Sequence, residues 1–463
     1  MEAVAWSEAE RYLTAHGRFG VTSGLHRMRA LLGELDHPER SIPHIVHVGG
    51  TNGKGSVTAY LATILTAGGW RVLRYTSPHL RHYRERLAID GQPVTEETLA
   101  RTLLEVVRPA AERVMRRLGE PPTVFELLTA AAYLSARDER VDCLVQEVGL
   151  GGRLDPTNVV AAPQLVVLTN VSLDHTDRLG ETVTAIAGEK AQILKPGCLA
   201  VTAAAGEALQ IFTEQAAALG VRLWRVAADA GDYRWTVLRR SLDGSEFELH
   251  APDGRRQRLR TRIPGTYQVE NAALAASAID LWLVRGAGDP ATAQRWQKAL
   301  AEGLVRTHWP ARMDFRPGVP PVLIDGAHNP AAMKALRTAV DDLFPARERV
   351  LLTAVTGGRD PLQVFAPWLA PGTRVRAWAV VPLGEAGAAR TTEMAQALAA
   401  VTKAEVRAWP SVAAGWAWAR RQALTASGRQ PALLVVCGSL YLAGEVLSLL
   451  DEAEPSSGCS PGC

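Results

Sequence analysis

The feature that most constrains this chain is His47-Val48-Gly49-Gly50-Thr51-Asn52-Gly53-Lys54-Gly55-Ser56. It follows the apolar run 45–48 and opens a helical pattern over 57–67, which Gly68-Gly69 closes with a C-cap signal. Strand, glycine loop and helix in that order are the setting a phosphate-binding loop requires. Glycines let backbone N–H groups approach phosphate oxygens, the helix start adds partial positive charge, and Lys54 adds a full one. The loop departs from the common pattern twice. Val48 stands where a glycine is usual, and Ser56 follows Gly55 rather than Lys54 directly. The bland alternative is a glycine-rich turn without a ligand, in which Lys54 and Ser56 have little structural purpose.

Such a loop belongs on a parallel sheet, and the flanking sequence supplies one. The runs 45–48, 72–75, 141–148 and 165–170 are rich in Val, Leu and Ile with few polar residues, as suits strands covered on both faces. Helical patterns alternate with them up to about residue 200. From 198 to 262 the pattern changes: 233–239 and 247–251 read as strands beside the turn signals Asp243-Gly244 and Asp253-Gly254, and a helix follows over 269–284. A second unit begins near Arg312, with strands over 322–325, 350–355, 375–381 and 433–437 and helices over 330–343, 392–400 and 440–450. The expected fold is α/β. A P-loop-containing, doubly wound, mostly parallel sheet domain with a small antiparallel patch covers 1–305. A smaller Rossmann-like α/β domain covers 306–452, and a flexible tail covers 453–463.

Two further strand ends carry chemistry. Glu147-Val148-Gly149-Leu150-Gly151-Gly152-Arg153-Leu154-Asp155-Pro156-Thr157-Asn158 is a second glycine-rich turn. A dinucleotide fingerprint would need a helix after it, and Pro156 resists one. A carboxylate closing a buried strand needs a cation: a metal, or Arg153 as an ion pair. After 165–170 comes Asp174-His175, in which the imidazole is a candidate metal ligand and Asp174 could bind metal or orient it. The phosphate loop, Glu147 and His175 would all lie at C-terminal ends of parallel strands, where ligands of open α/β sheets bind.

Composition narrows the partners. Lys+Arg 51 against Asp+Glu 48 leaves +3, no global signal for nucleic acid or membrane. No run of about 18 apolar residues and no secretory pattern is visible. Cys143 and Cys437 read as buried strand residues, Cys459 and Cys463 as part of the tail, and a reducing cytoplasm is expected.

Further segments follow in a telling order. They are Gly24-Leu25-His26-Arg27-Met28, Tyr75-Thr76-Ser77-Pro78-His79-Leu80 with Glu85-Arg86, Gly188-Glu189-Lys190-Ala191, Val269-Glu270-Asn271-Ala272 and Asp325-Gly326-Ala327-His328-Asn329-Pro330. With the motifs above, they resemble the folylpolyglutamate synthase/dihydrofolate synthase family of the Mur ligase superfamily, over nearly the whole chain. The resemblance implies an ATP-dependent ligase that adds L-glutamate to reduced folates, and to dihydropteroate, through an acyl phosphate, releasing ADP. A member with one of the two activities is the alternative.

The resemblance also implies roles for single residues. Gly50, Thr51, Asn52, Gly53, Lys54, Gly55 and Ser56 would hold the ATP phosphates, and Asn271, Arg312 and Asp325 the rest of the nucleotide. Ser77, Glu147 and His175 would ligate two magnesium ions, joined by Lys190 if it carries a carbamate. Lys190 in an ordinary ion pair is the alternative. Lys54, Glu147, His175, Lys190, Asp325 and His328 would form the catalytic set, with His328 and Ser439 at glutamate. The pterin would lie near 19–37 and 77–86, and a monomer is expected. The family usually has Ala at Gly49 and Gly at Ala311. A left-handed backbone at Ala311 would be strained and would put Arg312 in doubt. Cell-wall Mur ligases fit less well, since they carry a nucleotide-sugar domain first and a hydroxyl directly after the loop lysine. A regulatory nucleotide-binding module and a dinucleotide oxidoreductase are the readings from other classes.

Overall fold

A computed structural model describes residues 2–16, 24–355, 359–384, 388–425 and 430–453. Its first sheet has eleven strands. They are β1 (His44–Gly49), β2 (Val72–Tyr75), β3 (Leu87–Ile89), β4 (Gln92–Pro93), β5 (Cys143–Glu147), β6 (Leu165–Leu168), β7 (Leu199–Thr202), β8 (Leu223–Ala227), β9 (Tyr233–Ser241), β10 (Gly244–His250) and β11 (Arg256–Thr261). The spatial order is β11-β10-β9-β8-β7-β6-β1-β5-β2-β3-β4. Pairing from β2 through β5, β1, β6, β7 and β8 to β9 is parallel. Antiparallel strands flank it on both margins.

This arrangement corrects the extent of the antiparallel patch. Strands β7 and β8 fall inside the stretch from 198 to 262, yet they extend the parallel sheet. They are short, and β8 is mostly half-buried, so its Arg225 breaks the apolar run that marks a fully covered strand. Antiparallel pairing starts only at β9. The second antiparallel margin, β3–β4, is three and two residues long, too short for any periodicity to show.

Burial explains why the central strands are apolar throughout. In β1, Val46 and Val48 enter one core and Ile45 another; in β6, Leu165 and Val167 enter the first while Val166 and Leu168 enter a third. Each strand therefore feeds helical layers on both faces. The phosphate-loop helix Lys54–Ala67 packs with Thr266–Ile279 and Pro290–Arg306 on the first core. Local capping fixes other helix starts. Thr123 and Glu126 form a capping box for Val124–Asp138, Thr182 caps Val183–Ala191, and Asp289 precedes Pro290.

The second sheet has six strands: β12 (Asp314–Arg316), β13 (Val322–Ile324), β14 (Arg349–Thr353), β15 (Val375–Val380), β16 (Glu405–Ala408) and β17 (Leu433–Cys437). Its order is β12-β13-β17-β14-β15-β16, parallel except for β12. The helices Pro330–Leu343, Ala388–Val401 and Leu440–Ala453 contain the expected helical stretches. Cys143, Cys198 and Cys437 are buried free thiols. Ala453 ends the last helix. The rest of the expected tail, with Cys459 and Cys463, and residues 19–23 of the expected pterin segment lie outside the described residues. Among the described residues no helix is long and apolar enough to cross a membrane.

Candidate functional site

The phosphate loop is shaped by contacts that leave no room for side chains. Gly50 (φ +138°) and Gly53 (φ +88°) occupy backbone regions that favour glycine. A Cβ on Gly50 would stand 1.8 Å from Thr169 Oγ1, and one on Gly53 2.3 Å from Asn271 Oδ1. The loop is anchored to the end of β6: Thr51 N–H donates to Asn170 O at 2.8 Å, and Asn52 N–H to Asn170 Oδ1 at 3.3 Å. Lys54 Nζ donates to Thr51 O at 3.2 Å, so the cation folds back over the loop. Ser56 is buried, and its hydroxyl accepts from Gln268 Nε2 at 3.4 Å. Asn271 is buried one turn along the helix that carries Gln268 and donates to Gln268 Oε1 at 3.2 Å.

Glu147 ends β5 beside β1, in register with Val48. It is buried, and its Oε2 accepts the Ser77 N–H at 3.1 Å, so the loop after β2 meets the end of β5. Burial raises its pKa; the charge of Lys54 and the Ser77 N–H pull it back down. Arg153 is not its partner. Its guanidinium turns away to Glu189 Oε1 at 2.9 Å, which removes the simple ion pair as the reason for a buried Glu147. No α-helix follows the second glycine turn; Pro156–Val159 form one 3₁₀ turn. The turn instead seats a helix. A Cβ on Gly152 would lie 2.6 Å from Glu189 O and 3.0 Å from Lys190 Cα, in Val183–Ala191. Lys190 itself is 4% exposed. Burial, and then the charge of Lys54, lower its pKa to about 7.

Asp174 is one meeting point of the two units. Asn329 Nδ2 donates to its Oδ2 at 2.9 Å, Arg359 Nη2 donates to its Oδ1 at 2.7 Å, and His328 Nε2 stands 3.6 Å from Oδ2. Burial would raise its pKa, but the imidazole of His328 close by and the guanidinium of Arg359 hold it far below the carboxylate range. Asn329 is also the N-cap of Pro330–Leu343, and its Nδ2 donates to Asn52 Oδ1 at 2.9 Å. One amide thus ties the second unit to both the phosphate loop and Asp174. His175 has φ +51°, a left-handed conformation that histidine tolerates better than most residues. Burial, and then the charges of Arg359 and Lys54, lower its pKa to about 4 against the pull of Asp174, which keeps a neutral imidazole at pH 7.

Asp325 is saturated. The Tyr267 hydroxyl (2.7 Å) and Met313 N–H (2.8 Å) donate to Oδ2, and Ala327 N–H (2.8 Å) donates to Oδ1. His328 Nδ1 lies 2.8 Å from Gly326 O, which orients the ring. Ser439 is buried and its Oγ accepts from Tyr441 N–H at 3.1 Å; the preceding Gly438 N–H donates to Ala327 O, so Ser439 borders the Asp325–His328 segment. Arg312 lies against Gly326, where a Cβ would be 2.4 Å from its Nη1. Ala311 has φ +57° and Met313 φ +48°, so the strain expected at Ala311 is present on both sides of Arg312.

Known protein families and solved structures match this chain in sequence and fold. Residues 94–279 match the Mur ligase middle domain, and residues 315–449 the C-terminal domain of dihydrofolate synthetase. A dihydrofolate synthase/folylpolyglutamate synthase of Bacillus subtilis is 35% identical over 342 residues, covering 73% of this chain and 77% of that protein. The chain belongs to the dihydrofolate synthase/folylpolyglutamate synthase family. A folylpolyglutamate synthase of Lacticaseibacillus casei is 36% identical over 343 residues, with the same coverage of both chains. The solved Mycobacterium tuberculosis folylpolyglutamate synthase complexed with ADP has a TM-score of 0.86 at 28% identity, over 100% of both chains. E. coli FolC in complex with DHPP and ADP gives 0.81 at 27% identity, over 98% of each.

As a member of this family of ATP-dependent ligases, the chain contains groups that sequence reading did not single out. Asn170 anchors the phosphate loop, Asn329 bridges the two units, Arg359 pairs with Asp174, and Gly152 seats the lysine helix. Asn329 carried a signal, since Asn before Pro marks a helix start. Arg359 carried none.

Proposed function

We propose that this family member joins the amine of L-glutamate to the carboxylate of a folate-type substrate after ATP has phosphorylated that carboxylate. The observation that carries the reading is the Asn329 amide, which holds the second unit to Asn52 of the phosphate loop and to Asp174 at once. An acyl phosphate is prone to hydrolysis, and closure of two units over one site excludes water from it. Residues 1–305 would carry the nucleotide and residues 306–452 would close over it and supply the glutamate site. The γ-phosphoryl group moves to the substrate carboxylate and ADP leaves. The glutamate amine then attacks the acyl carbon, phosphate departs, and the amine loses a proton. Lys54 and the N-terminal end of the helix it opens offset phosphoryl charge, while Asn271 and Arg312 hold the nucleotide. Because Asp325 already accepts three hydrogen bonds, His328 is the better acceptor for the amine proton, and Asp325 is its scaffold.

Among the described residues no group of three or more His, Cys, Asp or Glu side chains forms a ready metal cage. Magnesium does not need one, since it is held by one or two carboxylates, waters and substrate phosphates. Glu147, the Ser77 hydroxyl and neutral His175 fit two such ions. Lys190 fits as an ammonium only poorly, but an amine with a pKa near 7 is partly neutral and can take up CO₂ as a carbamate, which adds an oxygen ligand. Bound magnesium would neutralise charge on the phosphates. Both dihydropteroate and reduced folates are proposed substrates of a monomeric cytoplasmic enzyme. The test is ADP release with dihydropteroate and with tetrahydrofolate, each with and without glutamate. Release of AMP, or ADP release independent of glutamate, would sink the mechanism.

A further inference from the structure

An arginine that makes no ion pair among the described residues stands on the far side of Glu147 from the phosphate loop. Along the C-terminal edge of the first sheet the order is β6, β1, β5, β2. Asp174-His175 follow β6, the phosphate loop follows β1, Glu147 ends β5, and Arg74 is the penultimate residue of β2. Arg74 is in register with Val145. Glu147, two residues further along β5, therefore shares the sheet face of Arg74.

The surroundings of Arg74 are specific. Its Cζ lies 4.5 Å from the centroid of the Trp309 ring. That ring reaches across to the start of the phosphate-loop helix: a Cβ on Gly55 would stand 3.3 Å from Trp309 Nε1 and 3.5 Å from Glu147 Oε2. Among the described residues, Arg74 Nε and Trp309 Nε1 are both buried with no hydrogen-bond partner, and Arg74 has no ion pair. Burial lowers the Arg74 pKa to about 10, and the charges of Glu147 and Glu85 act against that, so the group is charged at neutral pH. A desolvated guanidinium stacked on an indole still has its donors to satisfy, and an anion is the natural acceptor.

The topology indicates which anion. Phosphate oxygens are served by the glycine loop and Lys54, whose anchors run towards β6 through Asn170. Arg74 lies on the opposite flank of Glu147, under the loop that starts at Ser77. We propose that Arg74, stacked on Trp309, receives the carboxylate of the acyl substrate and positions it beside Glu147 for phosphorylation. A guanidinium fork matches a carboxylate through paired N–H groups, which fixes orientation as well as charge. This inference rests on the ligase reading above and deepens it.

The experiment is steady-state kinetics of wild type, Arg74→Gln and Arg74→Lys, varying the acyl substrate, ATP and glutamate in turn. Acyl-substrate-dependent ADP release by the wild type tests the ligase reading on its own. For the inference, Arg74→Gln raises KM for the acyl substrate by roughly tenfold or more and leaves KM for ATP and glutamate within about twofold, and Arg74→Lys recovers part of the loss. Unchanged constants, or a rise confined to ATP, overturn it. A binding measurement in magnesium-free buffer compares pteroic acid with its carboxamide. Wild type prefers the acid and Arg74→Gln does not; equal affinity in the wild type overturns the proposal even if the variant fails to fold.

Discussion

Replacing Gly152 by alanine isolates the link between the second glycine turn and Lys190. The added Cβ would sit 2.6 Å from Glu189 O, short of ordinary contact by about 0.8 Å, and 3.0 Å from Lys190 Cα. Both are backbone atoms, so no side chain can rotate out of the way. Arg153 N–H also donates to Glu189 O at 2.9 Å, which clamps the turn onto the helix at the point of collision. Either the turn lifts or the helix Val183–Ala191 shifts by most of an ångström, and Lys190 moves with it. Overpacking of this kind costs about 1–3 kcal/mol. A misplacement near 1 Å in a catalytic constellation costs on the order of a hundredfold in rate.

The expected result for Gly152→Ala is therefore a melting temperature lowered by a few degrees and a kcat lowered by ten- to a hundredfold, with the ATP KM little changed. Gly188 supplies the control, because it lies in the same helix and a Cβ there meets nothing within 4 Å. Gly188→Ala should be neutral or stabilising by about 0.5–1 kcal/mol, since alanine is the better helix former, with kcat within about twofold. Differential scanning calorimetry and coupled ADP release measure both. Wild-type kcat in Gly152→Ala, or an equal loss in Gly188→Ala, would refute the reasoning.

Lys190→Met should stabilise the metal-free protein. The folded lysine has a pKa near 7 against 10.5 ordinarily, so its burial cost, at most about 5 kcal/mol, is fully present below pH 7 and fades as the pH rises from 7 to 10.5. Urea unfolding in CO₂-depleted buffer should show the variant ahead at pH 6.5 and the gap narrowed at pH 9.5, with activity lost throughout; a constant gap contradicts it. Gly444→Ala should loosen the loop after β2, because its Cβ would stand 2.2 Å from Leu80 O while Arg81 pairs with Asp451 at 2.6 Å; faster tryptic cleavage at Arg81 and Arg84 is the readout. Asp174→Asn should lower kcat at least tenfold by weakening the hold on Arg359, and an unchanged kcat argues that the pair has no part in turnover.

What could be read from the sequence was what the local backbone demands. Val- and Leu-rich runs marked β1, β2, β5 and β6 because strands covered on both faces tolerate few polar residues. The phosphate loop was legible because Gly50 and Gly53 need conformations that other residues resist. Half-buried β8 and the two-residue β4 gave no such signal. Polar pairings across the fold gave none either. Gly152 read as a loop glycine, yet its reason lies 37 residues on, at Glu189 O. Asn329 stands before Pro330, a helix-start signal, but its bridging role depends on Asn52 and Asp174 arriving from another sheet.

Ala311 lies between these cases. Its cost was legible, because a non-glycine residue in a left-handed backbone loses roughly 1–2 kcal/mol. What offsets that cost was not. Ala311 O accepts the Gly326 N–H and Arg312 Nη1, both at 2.9 Å, and its own N–H donates to Asp314 Oδ2 at 3.3 Å. Those bonds lock Arg312 against Gly326, next to the saturated Asp325. The strain is therefore held by the same network that places the arginine, and a departure that seemed to put Arg312 in doubt is one of the features that fixes it.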